Sequence, residues 1–296
     1  MTDIKKVVVV GSGTMGVGIA HSFAQHGFEV VLCDMNEKAL ENGIEVIKQN
    51  FQRQVNKGLF SDSEMNASLL RISTNIDLIN SLSGADLLVE AIFEEKVAKT
   101  RLFETVSEIK IKSLIVASNT SSIPIEVLAE AYIFPEQFVG MHFFNPVPMM
   151  PLVELVRTSK TSDEVLNAIF KMAEKLGKRA ILVNDFPGFV SNRVLMPMIN
   201  EAILALEQGV ADVSGIDHVM MLGMSHPMGP LKLADFIGLD VCLMIMRVLE
   251  ERLGEKYKPA DLLVKLVDSK LMGVKTGEGF YVWEGKNASP KTDFKF

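Results

Sequence analysis

The stretch Val7 to Gly18, VVVVGSGTMGVG, joins a run of β-branched residues directly to a glycine spacing of the form GxGxxG. The apolar run has the composition of a strand buried on both faces, and residues 14 to 25 follow it as a helix that Gly27 ends. In that setting Gly11 is expected to make the tight turn, Gly13 to let the backbone approach a phosphate closely, and Gly16 to let the helix pack on the strand. Thr14 and Met15 fall at the start of the helix, where unpaired N–H groups and the helix dipole favour negative charge. Gly11, Gly13, Thr14, Met15 and Gly16 are therefore assigned to a dinucleotide pyrophosphate. Phe28 to Cys33, FEVVLC, reads as a second buried strand finishing at Asp34, which lies 21 positions after Gly13. An acid at that distance accepts hydrogen bonds from the adenosine ribose and repels a 2'-phosphate, so NAD is expected rather than NADP. The alternative is an ordinary strand-to-helix turn, against which stand the strand, helix, strand and acid in register.

The chain has 296 residues, 48% of them hydrophobic, enough for a large core and one or two domains. No window approaches the roughly 18 uninterrupted apolar residues of a membrane span, and MTDIKK runs straight into the first strand without a signal peptide, so a cytoplasmic protein is expected. Cys33 and Cys242 are isolated, which indicates neither a disulfide framework nor a metal site. A formal net charge of −7 without a long basic run argues against a nucleic-acid surface, and any anionic ligand must be held locally.

From Lys5 to about Val183 short apolar runs alternate with helical patterns. Strands are predicted at 5–10, 28–33, 86–91, 113–117, 138–142 and 180–183, with a weaker one at 71–74; helices are predicted at 14–25, 36–58, 95–110, 124–131 and 162–176. This is the rhythm of a parallel sheet covered on both faces. After Asn184 it changes: Gly188 to Gln208 is one long helical pattern ended by Gly209, and further helices are predicted at 214–222, 238–253 and 259–268. The fold class is thus α/β, a Rossmann-like dinucleotide-binding domain over 1–184 followed by an all-helical domain over 185–296. Apolar runs such as VCLMIMRVL in the helical part are core or the face of a homodimer, and the dimer is the expected state.

His142, in GMHFFNPVP, ends an apolar strand, and strand ends in open α/β sheets border the ligand crevice. Imidazole titrates near neutrality, so among the five histidines it is the leading general-base candidate. Glu154 is an acid inside the apolar run PLVELV. It is either the partner that holds the His142 ring or an edge-strand acid facing water. The polar segment ASNTSS, residues 117 to 122, follows the strand at 113–117 and can face a ligand or act as a loop and helix cap. Asn192, in PGFVSNR, lies on the first turns of the long helix and faces a cleft or solvates an interface.

Taken in order, GSGTMGVGIA, VEAIFE, ASNTSS, GMHFFNPVP, LVELV, DFPGFVSNR, HPMGPLKLADFIGLD and KTGEGFY resemble the 3-hydroxyacyl-CoA dehydrogenase family over essentially the whole chain. HFFNPVP and HPMGP are the most specific of these motifs. The resemblance is strongest to the stand-alone bacterial 3-hydroxybutyryl-CoA dehydrogenases. It implies reversible, NAD-dependent oxidation of an L-3-hydroxyacyl-CoA to a 3-ketoacyl-CoA. By resemblance His142 takes the 3-hydroxyl proton, Glu154 orients it, Ser121 hydrogen-bonds the reacting oxygen and Asn192 positions substrate. Asp34, Ala91, Glu94, Lys99, Asn119, Asn145 and Lys275 match the family's dinucleotide contacts. The chain ends soon after GFYVWEG with no preceding hydratase domain, which resembles the monofunctional type.

Coenzyme A needs a local basic site on so acidic a chain. Arg53 and Lys57, four apart on one helix, are the candidates for substrate contact, against a solvated helix face. Two departures stand out: the family's lysine-rich pattern here is thinner, and Pro151 occupies a position where relatives often carry lysine. Two further readings remain, a dehydrogenase for another 3-hydroxy acid or a longer acyl-CoA, and a non-enzymatic structural or NAD-sensing relative.

Overall fold

The computed structural model describes residues 3–292 and Phe294, and the chain forms two compact units, residues 1–186 and 187–296. The first unit runs β1 (Lys6–Val10), α1 (Thr14–Gln25), β2 (Glu29–Cys33), α2 (Glu37–Asn56), α3 (Asp62–Leu69), β3 (Ile72–Asn75), α4 (Leu78–Ser81), β4 (Leu87–Glu90), α5 (Lys96–Glu108), β5 (Ile115–Ser118), α6 (Ile125–Ala129), β6 (Phe138–Phe143), β7 (Leu152–Arg157), α7 (Asp163–Lys175) and β8 (Arg179–Asn184). The second contains α8 (Ser191–Glu207), α9 (Val213–His218), α10 (Pro230–Ile237), α11 (Leu239–Leu253), α12 (Asp261–Asp268), β9 (Tyr281–Glu284) and β10 (Asn287–Pro290).

The strands of the first unit form one sheet in the order β3-β2-β1-β4-β5-β6-β7-β8. The chain reverses its direction of travel across the sheet between β1 and β4, and ligands of open α/β sheets bind beyond the strand ends at such a switch point. β4 and β5 are buried along their whole length and β1 from Val7 to Val10, which is why they read as continuous apolar runs rather than alternating ones. The helices show the complementary pattern. On α2 the buried residues Leu40, Gly43, Ile47 and Phe51 recur at helical spacing, and Asn36 caps the helix by accepting from the Ala39 N–H.

The sheet is not wholly parallel, as its rhythm suggested. β7 pairs antiparallel with β6, and β8 runs parallel to β7. Connection length explains the difference. Residues 144–151 between β6 and β7 are too few for a parallel crossover, which needs a dozen or more, whereas α7 supplies that crossover between β7 and β8. β7 is therefore an interior strand, and β8 is the edge.

In the helical unit α8 begins at Ser191, three residues later than its apolar pattern suggests. Gly188 (φ 77°) and Phe189 (φ 48°) occupy the left-handed region, so the chain turns before the helix can propagate. The unit also carries features absent from the sequence reading: α10, which starts with Pro230 at its first position, and the β9–β10 hairpin. Two buried acids anchor that hairpin. Asp235 accepts from Phe280 N, Tyr281 N and Trp283 Nε1, and Asp217 accepts from Leu231 N, Lys232 N and the Tyr281 hydroxyl. A Cβ on Gly229 would lie 2.2 Å from Asp217, and one on Gly279 would lie 2.1 Å from Asp235. Gly229 of HPMGP and Gly279, the second glycine of KTGEGFY, are thus required by packing around these carboxylates. Among the described residues no helix is long and apolar enough to cross a membrane.

Candidate active site

The glycine loop leaves β1 and enters α1 beside β4. Gly11 has φ 105°, and a Cβ there would lie 2.5 Å from the Ala91 carbonyl oxygen, so both conformation and space demand glycine. Gly16 is needed for a different contact from the one expected: its Cβ would come within 1.8 Å of the Gly11 carbonyl oxygen, in the turn itself rather than against the strand. At Gly13 a Cβ would meet nothing within 4 Å, which leaves open space over the N-terminus of α1. No side chain caps that helix and its first turn carries no acid, so Thr14 and Met15 open a helix end suited to a phosphate. These features fit a dinucleotide.

Asp34, expected at the ribose, lies just beyond β2 and is held by hydrogen bonds of its own. Its Oδ2 accepts from Ser12 N (2.8 Å) and Ser12 Oγ (2.7 Å), and its Oδ1 accepts from Asn36 N (3.0 Å). Partial burial pushes its carboxyl up, but these donors outweigh burial and hold it below the usual carboxylate range. The residue expected to contact the ribose thus also ties down the glycine loop.

His142 and Glu154 are directly opposite each other on the antiparallel pair β6–β7, so both side chains emerge on the same face of the sheet. His142 Nδ1 lies 2.8 Å from Glu154 Oε2. Glu154 is only 3% exposed, which excludes the water-facing alternative. A buried carboxylate facing Nδ1 fixes the neutral tautomer with its proton there, placing the basic lone pair on Nε2, and stabilises imidazolium when a second proton arrives. Phe144 packs against the ring with centroids 4.7 Å apart.

The ASNTSS segment leaves β5 and is held by Glu94. Glu94 Oε1 accepts from Thr120 Oγ1 (2.5 Å), Ser121 N (3.0 Å), Ser122 N (3.1 Å) and Ser122 Oγ (2.8 Å). Burial raises its carboxyl, but the Lys99 charge and these donors prevail and hold it low. Lys99, matched by resemblance to the cofactor, is buried beneath the loop with its ammonium on Glu90, Glu94 and the Ile92 carbonyl. Asn119 Oδ1 accepts from Phe143 N at 2.9 Å, joining the end of β5 to the residue after His142. The sequence reading gave no individual role to Ser12 or Glu90, nor to Ser118 and Thr120 within the ASNTSS segment it singled out. Glu90 was visible as an acid ending an apolar strand, but no local pattern gave its partners.

The other candidates lie as follows. Arg53 and Lys57 are exposed at the end of α2, with Arg53 donating to Asn50 Oδ1. Asn145 is exposed in the loop after β6, and buried Lys178 steadies that loop through the Val147 and Met150 carbonyls at 2.6 and 2.7 Å. Pro151 ends it, accepting from Arg179 N. In the helical unit Asn192 sits in the first turn of α8, and Lys275 pairs with both oxygens of Asp240 at 2.7 and 2.9 Å. Of the other histidines, His21 is fully buried on α1, against Phe51 at 4.0 Å between centroids. His26 Nδ1 meets the Ser22 carbonyl oxygen, and His218 Nδ1 meets Ser214 Oγ.

Residues 6–186 match the family model described as 3-hydroxyacyl-CoA dehydrogenase, NAD binding domain, and residues 188–283 match the C-terminal domain of the same description. The chain is 48% identical to a probable 3-hydroxybutyryl-CoA dehydrogenase of Bacillus subtilis, over 97% of this chain and 100% of that one. It is 51% identical to a protein of the same description from Deinococcus radiodurans, over 93% and 99%. Among solved structures, (S)-3-hydroxybutyryl-CoA dehydrogenase from Ralstonia eutropha superposes with a TM-score of 0.91 at 41% identity, covering 95% of this chain and 99% of that one.

Proposed function

The chain belongs to the 3-hydroxyacyl-CoA dehydrogenase family, and we propose that His142 and Glu154 are the proton-transfer pair of its reaction. It is an NAD-dependent oxidoreductase that interconverts an L-3-hydroxyacyl-CoA and its 3-ketoacyl-CoA. The proposed substrate is the four-carbon thioester, 3-hydroxybutyryl-CoA, a reading supported by the names of the relatives. The observation that carries the site assignment is the 2.8 Å contact between His142 Nδ1 and Glu154 Oε2.

NAD, when bound, supplies the hydride acceptor. The residues proposed to hold it are Gly11, Gly13, Thr14, Met15 and Gly16 at the phosphates and Asp34 at the ribose, with Ala91, Glu94, Lys99, Asn119, Asn145 and Lys275 assigned by resemblance. The protein's own work is with the proton. His142 Nε2 takes the hydrogen of the 3-hydroxyl, while Glu154 keeps the ring oriented and balances the imidazolium. The Ser121 hydroxyl donates to the reacting oxygen as it gains negative character, and Asn192 is assigned to substrate positioning. In the reductive direction the same imidazolium returns the proton. Arg53 and Lys57 are proposed contacts for the phosphates of coenzyme A.

A homodimer built mainly from residues after Asp185 is the proposed assembly, supported by exposed apolar side chains there such as Val210, Val219 and Leu222. The cytoplasm is the proposed compartment, in keeping with two buried free thiols. The test of function is NADH consumption with a series of 3-ketoacyl-CoA thioesters. The four-carbon member is expected to give the highest kcat/KM. A maximum at long chains would overturn the substrate proposal, and no turnover with any member would overturn the enzymatic one.

A further inference from the structure

We propose that Glu90 is a positioning residue for the reaction: it fixes the Lys99 ammonium and, through Lys99 and Glu94, the loop that carries Ser121. The proposal rests on the assignment of Ser121 to the reacting oxygen.

Glu90 ends β4 and is completely buried, a placement that costs a carboxylate dearly unless each of its oxygens is satisfied. It is satisfied by three donors: Lys99 Nζ at 2.5 Å and Ile92 N at 2.8 Å on Oε1, and Ser118 Oγ at 2.5 Å on Oε2. The ammonium is equally well placed. Its acceptors are Glu90 Oε1 at 2.5 Å, Glu94 Oε2 at 3.2 Å and the Ile92 carbonyl oxygen at 3.3 Å. One cation thus stands between two carboxylates, closer to the deeper one. Glu94 is the shallower of the two: its side chain is 24% exposed, and its other oxygen gathers Thr120, Ser121 and Ser122.

The unequal distances give Glu90 its function. Without its charge the buried ammonium would have Glu94 as its sole carboxylate here and would draw that group off the loop, competing with the hydroxyl and N–H donors for the same acceptor. With Glu90 in place the cation is spoken for, and Glu94 Oε1 stays with the loop. Anchor and loop also lie on hydrogen-bonded neighbouring strands, since Ser118 of β5 is the register partner of Glu90 on β4 and Asn119 N donates to the Glu90 carbonyl oxygen at 2.9 Å. A displacement of Glu90 would therefore reach Ser121 by two routes, through Glu94 and along β5.

A purely structural ion pair would lower activity equally in every background, whereas a residue acting through Ser121 loses its effect when Ser121 is gone. The test is a cycle of Glu90→Gln, Ser121→Ala and the double variant, with kcat and KM measured for each. Glu90→Gln is expected to lower kcat about tenfold in the parent protein and less than about twofold in Ser121→Ala, with KM for the thioester changed less than about threefold. Should Glu90→Gln fail to fold, Ser118→Ala serves in its place, because it removes one donor to Glu90 and leaves both charges. Its expected loss is about threefold, again vanishing in the Ser121→Ala background. Equal losses in the two backgrounds, or unchanged kcat in a folded Glu90→Gln or Ser118→Ala protein, would overturn the proposal and leave the Ser121 assignment standing. Undiminished turnover in Ser121→Ala would overturn that assignment, and the role of Glu90 with it.

Discussion

Two histidines of the first unit are buried within the same sheet-and-helix layers, and their surroundings divide them. His142 stands at the end of β6 with Nδ1 against a buried carboxylate. His21 lies on α1 against Phe51, its Nδ1 has no hydrogen-bond partner among the described residues, and burial lowers its pKa to about 4. Burial alone makes imidazole a neutral ring. A carboxylate placed opposite in the strand register gives the ring a charged partner that His21 lacks.

The largest expected effect breaks the catalytic side of this contrast. His142→Ala should lower kcat by about 10²- to 10⁴-fold and leave NADH affinity nearly unchanged, since the cofactor is held elsewhere. Stopped-flow turnover with a fluorescence titration of NADH checks both halves, and near-normal turnover would mean that another group handles the proton. Next in size, Glu154→Gln should cost about 10- to 10²-fold in kcat, because the amide keeps the contact to Nδ1 but forfeits the charge. In a His142→Ala background it should cost almost nothing. Independent, additive losses would separate the pair.

How much of this could be read in the chain depends on whether partners are local. The glycine loop, α1, β2 and Asp34 lie within one segment, and their spacing carried the cofactor reading. Glu154 was visible as an acid in an apolar run, with a pairing to His142 and a water-facing edge position both open on the residues alone. Its role follows from the register of β6 against β7, and the short 144–151 connection that reverses β7 was not weighed. Glu90 and Ser118 are 28 positions apart and meet because β4 and β5 are parallel neighbours, a pairing without local signature. The β9–β10 hairpin was hidden for the same reason: its anchors, Asp217 and Asp235, lie far upstream, and the sequence reading singled out neither.

Asp34 sharpens the contrast from another side, as a partnered acid that still has a ligand to choose. NAD(H) should be preferred over NADP(H) at least about tenfold in kcat/KM, because the carboxylate accepts ribose hydroxyls and repels a 2'-phosphate. Asp34→Ser should shrink that preference. It should also loosen the loop, since the two Ser12 contacts go with the carboxylate. Equal use of the two cofactors by the parent protein would remove Asp34 from its assigned role.

The smallest effect on activity belongs to His21, and it tests whether burial without a carboxylate partner is only structural. His21→Leu should leave kcat within about twofold of the parent. Its consequence lies in stability. The ring titrates near 6.5 when the chain is unfolded and near 4 when folded, so between those values the unfolded state holds the extra proton. Stability from this group is complete above pH 6.5 and is lost as pH falls toward 4. The loss is on the order of 2 kcal/mol by pH 5 and 3 kcal/mol in full. His21→Leu removes that titration, and because Nδ1 is already unsatisfied, an apolar side chain forfeits no hydrogen bond at that atom. Urea denaturation at pH 7 and pH 5 should therefore show the first unit of the variant losing less stability on acidification than the parent. Parallel losses in the two proteins would place the acid sensitivity elsewhere and remove His21 as its source.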